Sequence, residues 1–421
     1  MRAVRIVVRA SGLCGMLMHA GRPHPLMITP AELNQFISDD LRLREKAHQL
    51  RARRVVEPMT STHVRIDGVE FVNFASNNYL GLTHHLRVLA AAERSLHAEG
   101  LGSGAAALIT GYTARHAAAE AAIAQWKGTA DAVLLPSGYQ ANHAAVQTLA
   151  ALGEKRGGGT RFLIDKLAHA SLLDAVRATS AEFRVFPHNG LAKLERLLAQ
   201  APAEQLQVVL SESIFSMDGD AADLHGLASL KAKYPFVLFL DEAHGSGVYG
   251  PGGSGYAAER GMQKSVDVSV MTLSKALGCV GGAVCGTQSF CAAVLNYGRA
   301  FIYSTAIPPL VAAAGAEAIR VMAEEPQRQA RVRELARSIR EAIARLGLST
   351  APGDSPIIPI RFGEEARALA ASQRLLEGRL LVPAVRPPTV PRGGSRLRVT
   401  LSCDHTDAEV KNLLDILAAI A

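Results

Sequence analysis

Three side chains define the chemistry this sequence can carry: Asp241, His244 and Lys275. Asp241 closes the apolar run "FVLFLD", His244 follows in "EAHGSG", and Lys275 sits in "TLSKALG" after the apolar run "VDVSVM". A lysine at the end of a buried strand gives up hydration with no carboxylate beside it in sequence. Each residue has a plain reading: a lysine stem along the core with its ammonium in water, and an aspartate serving as a helix N-cap. As a set they offer more. A lysine whose basicity yields to burial and neighbouring charge is a nucleophile for an aldehyde, and a carboxylate keeps a heterocyclic nitrogen protonated so that the ring accepts electrons. Those are the roles of a pyridoxal phosphate site, with Lys275 condensed with the aldehyde.

The phosphate needs donors. "LLPSGYQAN" puts Ser137, Gly138 and Tyr139 between a strand and a helix, where unbonded N–H groups and the helix dipole meet an anion; an ordinary connecting loop reads the same way. "DKLAHASLLDA" offers His169, an imidazole able to stack on a cofactor ring or simply to hold structure, and "SESIFSMDGD" supplies Glu212 and Ser216 after another strand. His84 and His85 have no metal partner at useful spacing, and no metal site is expected.

Strands and helices must bring these residues together. Apolar runs at 131–136, 161–165, 182–187, 207–213, 236–244, 267–274 and 282–286 alternate with Ala- and Leu-rich helical stretches. That alternation predicts an α/β fold whose mostly parallel sheet is covered on both faces, with ligands beyond the carboxyl ends of the strands. A helix is expected from about 30 to 50, then a hairpin in "HVRIDGVEFVNFAS" turning at Asp-Gly. A helical region at 307–347, two strands and a last helix predict a smaller α+β domain. The expected divisions are an extension at 1–28, a helix and hairpin at 29–75, a large domain at 76–306 and a small C-terminal domain at 307–421.

The bulk composition is that of an ordinary globular chain: 421 residues, 48% hydrophobic and 20% charged, with a formal charge of +7. The basic residues are dispersed among acids, "RARR" at 51–54 being the one cluster, and aromatics are sparse, which argues against nucleic acid as a partner. Five cysteines, Cys14, Cys279, Cys285, Cys291 and Cys403, make no C-x-x-C pair and fit a reducing cytoplasm. No run of about 18 apolar residues exists to span a membrane. Residues 1–28 carry arginines and no acid; they read as an extension.

Taken in order, "SNNYLGL", "GLGSG", "DKLAHASLLDA", "SESIFSMDGD", "LDEAHGSGVYG", "TLSKALG", "IYSTAIPP" and "AVRPPTVPRGGSRLRVTLSCDHT" resemble the α-oxoamine synthases, fold-type I pyridoxal phosphate transferases, over roughly residues 31–420. The resemblance implies a homodimer with its sites at the interface. It implies Lys275 as the cofactor's lysine, Asp241 at the pyridine nitrogen, His244 beside the phenolic oxygen and His169 stacked on the ring. Ser216 would contact the ring side, Ser137, Gly138, Tyr139 and Thr272 the phosphate, and Ser304 and Thr305 the partner subunit's phosphate. Asn77, Arg386 and Thr389 would handle the amino-acid substrate, and Arg51 the acyl chain. Within the family the set leans toward an acyltransferase of biotin biosynthesis that joins L-alanine to a pimeloyl group carried by coenzyme A or a carrier protein. The alternative is a sister activity using glycine or serine with another thioester. Five positions depart from the pattern: Ala105, Ala106 and Ala107 stand where glycines and a serine are usual, Asn78 where Asp is common, and Ala168 where Asn or Ser is.

Overall fold

The structure, a computed structural model, describes residues 28–46 and 49–421. The described residues fall into two units, divided between Val55 and Val56. The extension expected at 1–28 lies outside the described residues, apart from Ile28. In the first unit Thr29 caps the helix Pro30–Lys46. Its Oγ1 accepts from the Glu32 N–H at 3.2 Å, and a Glu32 carboxylate oxygen accepts from the Thr29 N–H at 2.8 Å, a reciprocal pair that satisfies two orphan donors. This helix buries no residue, so its length rests on local propensity alone, and it stops at Lys46 rather than near 50.

The second unit holds fourteen short strands. In chain order they are β1 (Glu57–Pro58), β2 (His63–Ile66), β3 (Val69–Asn73), β4 (Asp131–Leu135), β5 (Thr160–Asp165), β6 (Glu182–Phe186) and β7 (Leu206–Glu212). Then come β8 (Val237–Asp241), β9 (Val268–Thr272), β10 (Gly282–Gly286), β11 (Ile357–Gly363), β12 (Leu380–Leu381), β13 (Ala384–Val385) and β14 (Ser395–Thr400). The expected hairpin is β2–β3, turning through Asp67 and Gly68, both at positive φ (50° and 78°), as a two-residue primed turn requires.

The central sheet runs β4-β10-β9-β8-β7-β5-β6. Only β10 opposes its neighbours, pairing antiparallel with β4 and β9 while the rest are parallel. Helices cover both faces, and for that reason the strands read as unbroken apolar runs. Along β5, Phe162 and Ile164 enter one core with Ala141, Ala145 and Val146 of the helix Gly138–Arg156, whereas Leu163 enters another with Leu194, Leu197 and Leu227. Each such fully buried leucine or phenylalanine contributes on the order of 2 kcal/mol through lost apolar surface.

A separate sheet, β11-β14-β13, lies C-terminal. The helical region at 307–347 is two helices, Pro309–Glu324 and Gln327–Arg345, divided at Pro326, whose missing N–H and ring block continuation. Parallel direction places the last residues of β5, β7, β8 and β9 on one edge of the sheet: Asp165, Glu212, Asp241 and Thr272.

Candidate active site

Lys275 stands in the turn that leaves β9. The turn closes on itself, Gly278 N–H donating to Lys275 O at 3.0 Å and Leu273 N–H to Gly281 O at 3.0 Å. Its Nζ lies 2.9 Å from His244 Nε2. Burial lowers the amine from its ordinary value to about 8, against the pull of Asp241 and Glu212. Burial, and then the Lys275 charge, hold His244 well below its ordinary value. His244 is therefore a neutral imidazole, and its bonds assign its tautomer: Nε2 accepts from Lys275, so Nδ1–H donates to Tyr79 Oη at 2.6 Å. Tyr79 in turn donates to Asn77 Oδ1 at 3.2 Å. Tyr79 is fully buried, and the relay orients His244 from behind.

Asp241 ends β8. One carboxylate oxygen accepts from Asn142 Nδ2 at 2.7 Å and the other from the Ala243 N–H at 2.9 Å. Asn142, one turn inside the helix Gly138–Arg156, also donates to Ser171 Oγ at 2.8 Å. On the adjacent strand the register sets Glu212 beside Asp241. Burial, reinforced by Asp241, pushes the Glu212 carboxyl well above its ordinary range. Two carboxylates this close and this dry do not both ionise. The donors fall on Asp241, so the negative charge is held there and Glu212 keeps its proton.

The helix Gly138–Arg156 begins beside β9. Ser137 caps it, Oγ accepting from the Gln140 N–H at 3.1 Å, which leaves the Gly138 and Tyr139 N–H groups without intrahelical partners. A methyl group on Gly138 would stand 3.2 Å from Thr272 Cβ and 3.3 Å from its Oγ1. One on Gly282, the first residue of β10, would stand 2.6 Å from the Gly138 Cα. Glycine at both positions lets backbone and threonine converge on one point. Tyr139 stacks on His143, ring centroids 4.6 Å apart, and its hydroxyl donates to Asp174 at 3.1 Å. His169 caps the helix Ala170–Arg177, Nδ1 lying 2.8 Å from Ser171 Oγ; burial lowers its pKa, and Asp241 opposes that.

One cavity of about 270 Å³ collects Ser137, Gly138, Tyr139, His169, Asp241, His244, Thr272 and Lys275, together with Asn142, Ser171 and Glu212. A pyridoxal phosphate fits this donor set. An amine and a carboxylate face one space, a helix N-terminus stands at one end, and two of the lining residues, Asn142 and Glu212, each hold a buried oxygen with no partner. Among the described residues no cluster of His, Cys, Asp and Glu is arranged to hold a metal.

The other expected residues lie elsewhere. Asn77 Oδ1 accepts from Arg398 Nη1 and Nη2 at 3.4 and 3.3 Å, and the Ser216 carbonyl accepts from Arg398 Nε at 2.8 Å. Ser216 thus meets the site through its backbone. Arg386 is half-buried, and its carbonyl accepts from the N–H of Thr389, which is exposed. Ser304 Oγ accepts from Gln140 Nε2 at 3.3 Å. Thr305 bridges to Ala106 and the Ala306 N–H donates to Ala105 O at 3.1 Å, so the departing alanines serve a backbone pairing. Arg51 belongs to the first unit. Asn78 uses its amide to donate to Thr83 Oγ1 at 2.8 Å and to the Ser61 carbonyl at 3.4 Å, bonds an aspartate could not make.

Four residues of this network carried no assignment in the sequence: Tyr79, Asn142, Ser171 and Arg398. Tyr79 lies inside "SNNYLGL" and Arg398 inside "RLRVTLS". Arg398 lowers the pKa of both Lys275 and His244, so its charge reaches the centre of the site.

Residues 69–417 match the family model for class I and II aminotransferases. The chain is similar to an 8-amino-7-oxononanoate synthase of Cellvibrio japonicus, 38% identical over 392 residues, covering 93% of this chain and 97% of that one. It is also similar to one of Anaeromyxobacter dehalogenans strain 2CP-1, 42% identical over 371 residues, covering 87% and 92%. Among solved structures it superposes on SPT, a serine palmitoyltransferase, with a PLP internal aldimine: TM-score 0.84 at 28% identity, covering 93% and 97%.

Proposed function

Since this chain belongs to the aminotransferase class I and II family, we propose that it binds pyridoxal 5'-phosphate beside Lys275 and condenses L-alanine with a pimeloyl thioester. Carbon dioxide and a free thiol leave, and the product is 8-amino-7-oxononanoate, in biotin biosynthesis. The observation that carries this reading is the meeting of Lys275, His244 and Asp241 in one cavity behind a capped helix start, in a chain whose full-length relatives bear that enzyme's name.

When bound, the cofactor supplies a protonated ring that takes up the electron pair released at the alanine α-carbon. The rest falls to the protein. Asp241, fixed by Asn142 and Ala243, presents a negative charge to the ring nitrogen, while neutral Glu212 adds no second charge there. Gly138, Tyr139 and Thr272 receive the phosphate at the helix start. Lys275, with a pKa near 8, has a substantial fraction of free amine at neutral pH, so its Nζ can take and return the substrate's α-proton. His244 accepts from that amine and holds it in line. Arg398 and Arg386 offer cations to the alanine carboxylate; leaving a carboxylate without such a partner in a dry pocket costs several kcal/mol.

The assembly is a cytoplasmic homodimer. Leu101, Leu108, Ile109 and Tyr303 stand exposed, large apolar side chains of the kind a second copy covers. No helix among the described residues is long and apolar enough to cross a membrane. Cys279, Cys285, Cys291 and Cys403 are free thiols.

The test is product formation from alanine and pimeloyl-coenzyme A or pimeloyl carrier protein, followed by mass, with glycine and serine in parallel. The expected product has the mass of 8-amino-7-oxononanoate. Turnover of glycine or serine with alanine inert assigns the chain to a sister activity.

A further inference from the structure

The excursion 213–222 leaves β7 directly after Glu212 and folds back on itself. Ile214 bridges Ala221, and the Phe215 N–H donates to Asp220 O at 2.8 Å. Its outer part is gripped by β11 and β14. Arg398 of β14 donates to the Ser216 carbonyl at 2.8 Å, and Asp218 accepts from Arg361 at 3.0 Å and from Arg396. Its inner part is gripped by two residues after β6. His188 places Nδ1 3.0 Å from Asp165 Oδ1, at the end of β5, and Nε2 2.6 Å from Asp220 Oδ2. The same ring packs edge-on against Phe215, centroids 4.4 Å apart at 86°. Asn189 seals the grip: its N–H donates to Asp165 at 2.9 Å and its side chain to the Ala221 carbonyl at 3.0 Å.

We propose that His188 is a positioning residue for substrate carboxylate recognition, acting as a two-handed clamp that fixes the 213–222 excursion and, through the Ser216 carbonyl, the direction in which Arg398 points. A doubly bonded imidazole between two carboxylates must donate from both nitrogens and is therefore a cation. The Asp165 and Asp220 hydrogen bonds outweigh its partial burial and raise its pKa to about 10. It therefore stays charged through neutral pH, and a neutral imidazole, with a single N–H, could donate to only one of the two acids. Arg398 is 12 residues from Arg386 and lowers the pKa of Lys275. Freedom at Ser216 is thus passed to a cation whose charge is felt at the reacting amine. The inference rests on the reading of the site given above.

His188→Phe retains the edge contact with Phe215 and removes both ion pairs; Asp220→Asn removes one of them. In His188→Phe holoenzyme we expect the alanine KM to rise roughly tenfold with the thioester KM and kcat within about twofold. Amide exchange of 216–219 should quicken by about tenfold or more. Asp220→Asn should give part of both effects and add little in the double variant. Unchanged alanine KM with unchanged exchange overturns the proposal. So does an equal loss of cofactor affinity and of both substrates, which marks general loosening. If the unaltered enzyme fails to use alanine, the functional reading falls, and amide exchange at 216–219 still decides whether His188 clamps the excursion.

Discussion

Lys275 Nζ and His244 Nε2 are 2.9 Å apart, and this contact makes the lysine an amine that can act. The imidazole cannot share the lysine's charge, since burial keeps it neutral, yet it gives the amine a fixed direction. A lysine held so, with a pKa near 8, is poised at the pH where gaining and losing a proton are both inexpensive.

Lys275→Ala should lower turnover by about a thousandfold or more. It should also abolish the visible band that borohydride removes from the loaded enzyme. The capture of pyridoxal phosphate by apoprotein should quicken as pH rises through about 8 and level off above it, because only the unprotonated amine attacks. Stopped-flow absorbance reads this. A rate flat from pH 6.5 to 9.5 would contradict the depressed pKa.

Asp241→Asn should cost roughly two to four orders of magnitude in kcat while the protein still folds and binds the cofactor's phosphate, since the uncharged amide cannot hold the ring nitrogen protonated. Asn142→Ala removes one of the two hydrogen bonds to Asp241 and leaves a charge-assisted bond unmade, worth about 1.5–3 kcal/mol. Its kcat should fall about tenfold. Steady-state rates on both variants check the order: Asp241 first, Asn142 second.

Arg398→Lys should raise the alanine KM about tenfold with little change in the thioester KM, because an ammonium cannot reproduce the planar fork that holds Ser216, Asn77 and a carboxylate at once. A variant that instead lost thioester affinity alone would move Arg398 to the acyl side of the site.

His405 predicts an acid limit to stability. Its ring stacks on Phe74 at 4.2 Å and accepts from the Ser402 N–H at 3.0 Å, and burial depresses its pKa to about 4. The unfolded chain takes up this proton below about 6.5 and the folded chain only near 4. Stability contributed by neutral His405 is therefore complete above 6.5 and is lost as pH falls toward 4, by about 3 kcal/mol over the window. Urea midpoints at pH 7 and 4.5 should show a smaller difference in His405→Asn than in the unaltered chain. Equal differences would refute the assignment.

Much of this arrangement is legible in the sequence. The seven expected strands are β4 through β10, within about three residues at each end, because strands covered on both faces leave long apolar runs. Lys275, Asp241, His244 and His169 were legible because each follows such a run, and parallel strands bring their ends to one edge. The supporting residues were not. Asn142 lies inside a helix whose sequence pattern says only "helix", and its contact with Asp241 spans 99 positions. Tyr79 sits amid apolar neighbours, where an aromatic side chain reads as core, and its hydroxyl shows a purpose only once His244 is opposite. Arg398 alternates with apolar residues in β14, so spacing alone makes it a solvent-facing position; packing of β14 against the 213–222 excursion turns it inward instead.

The close approach of Gly138 and Gly282 reaches beyond the geometry of one turn. A methyl on Gly282 would press into the Gly138 backbone at 2.6 Å, whereas one on Gly138 would crowd only Thr272, so the constraint on the helix start is set from the strand. Any redesign of the anion-binding end that enlarges residue 282 must therefore move the helix along with the strand.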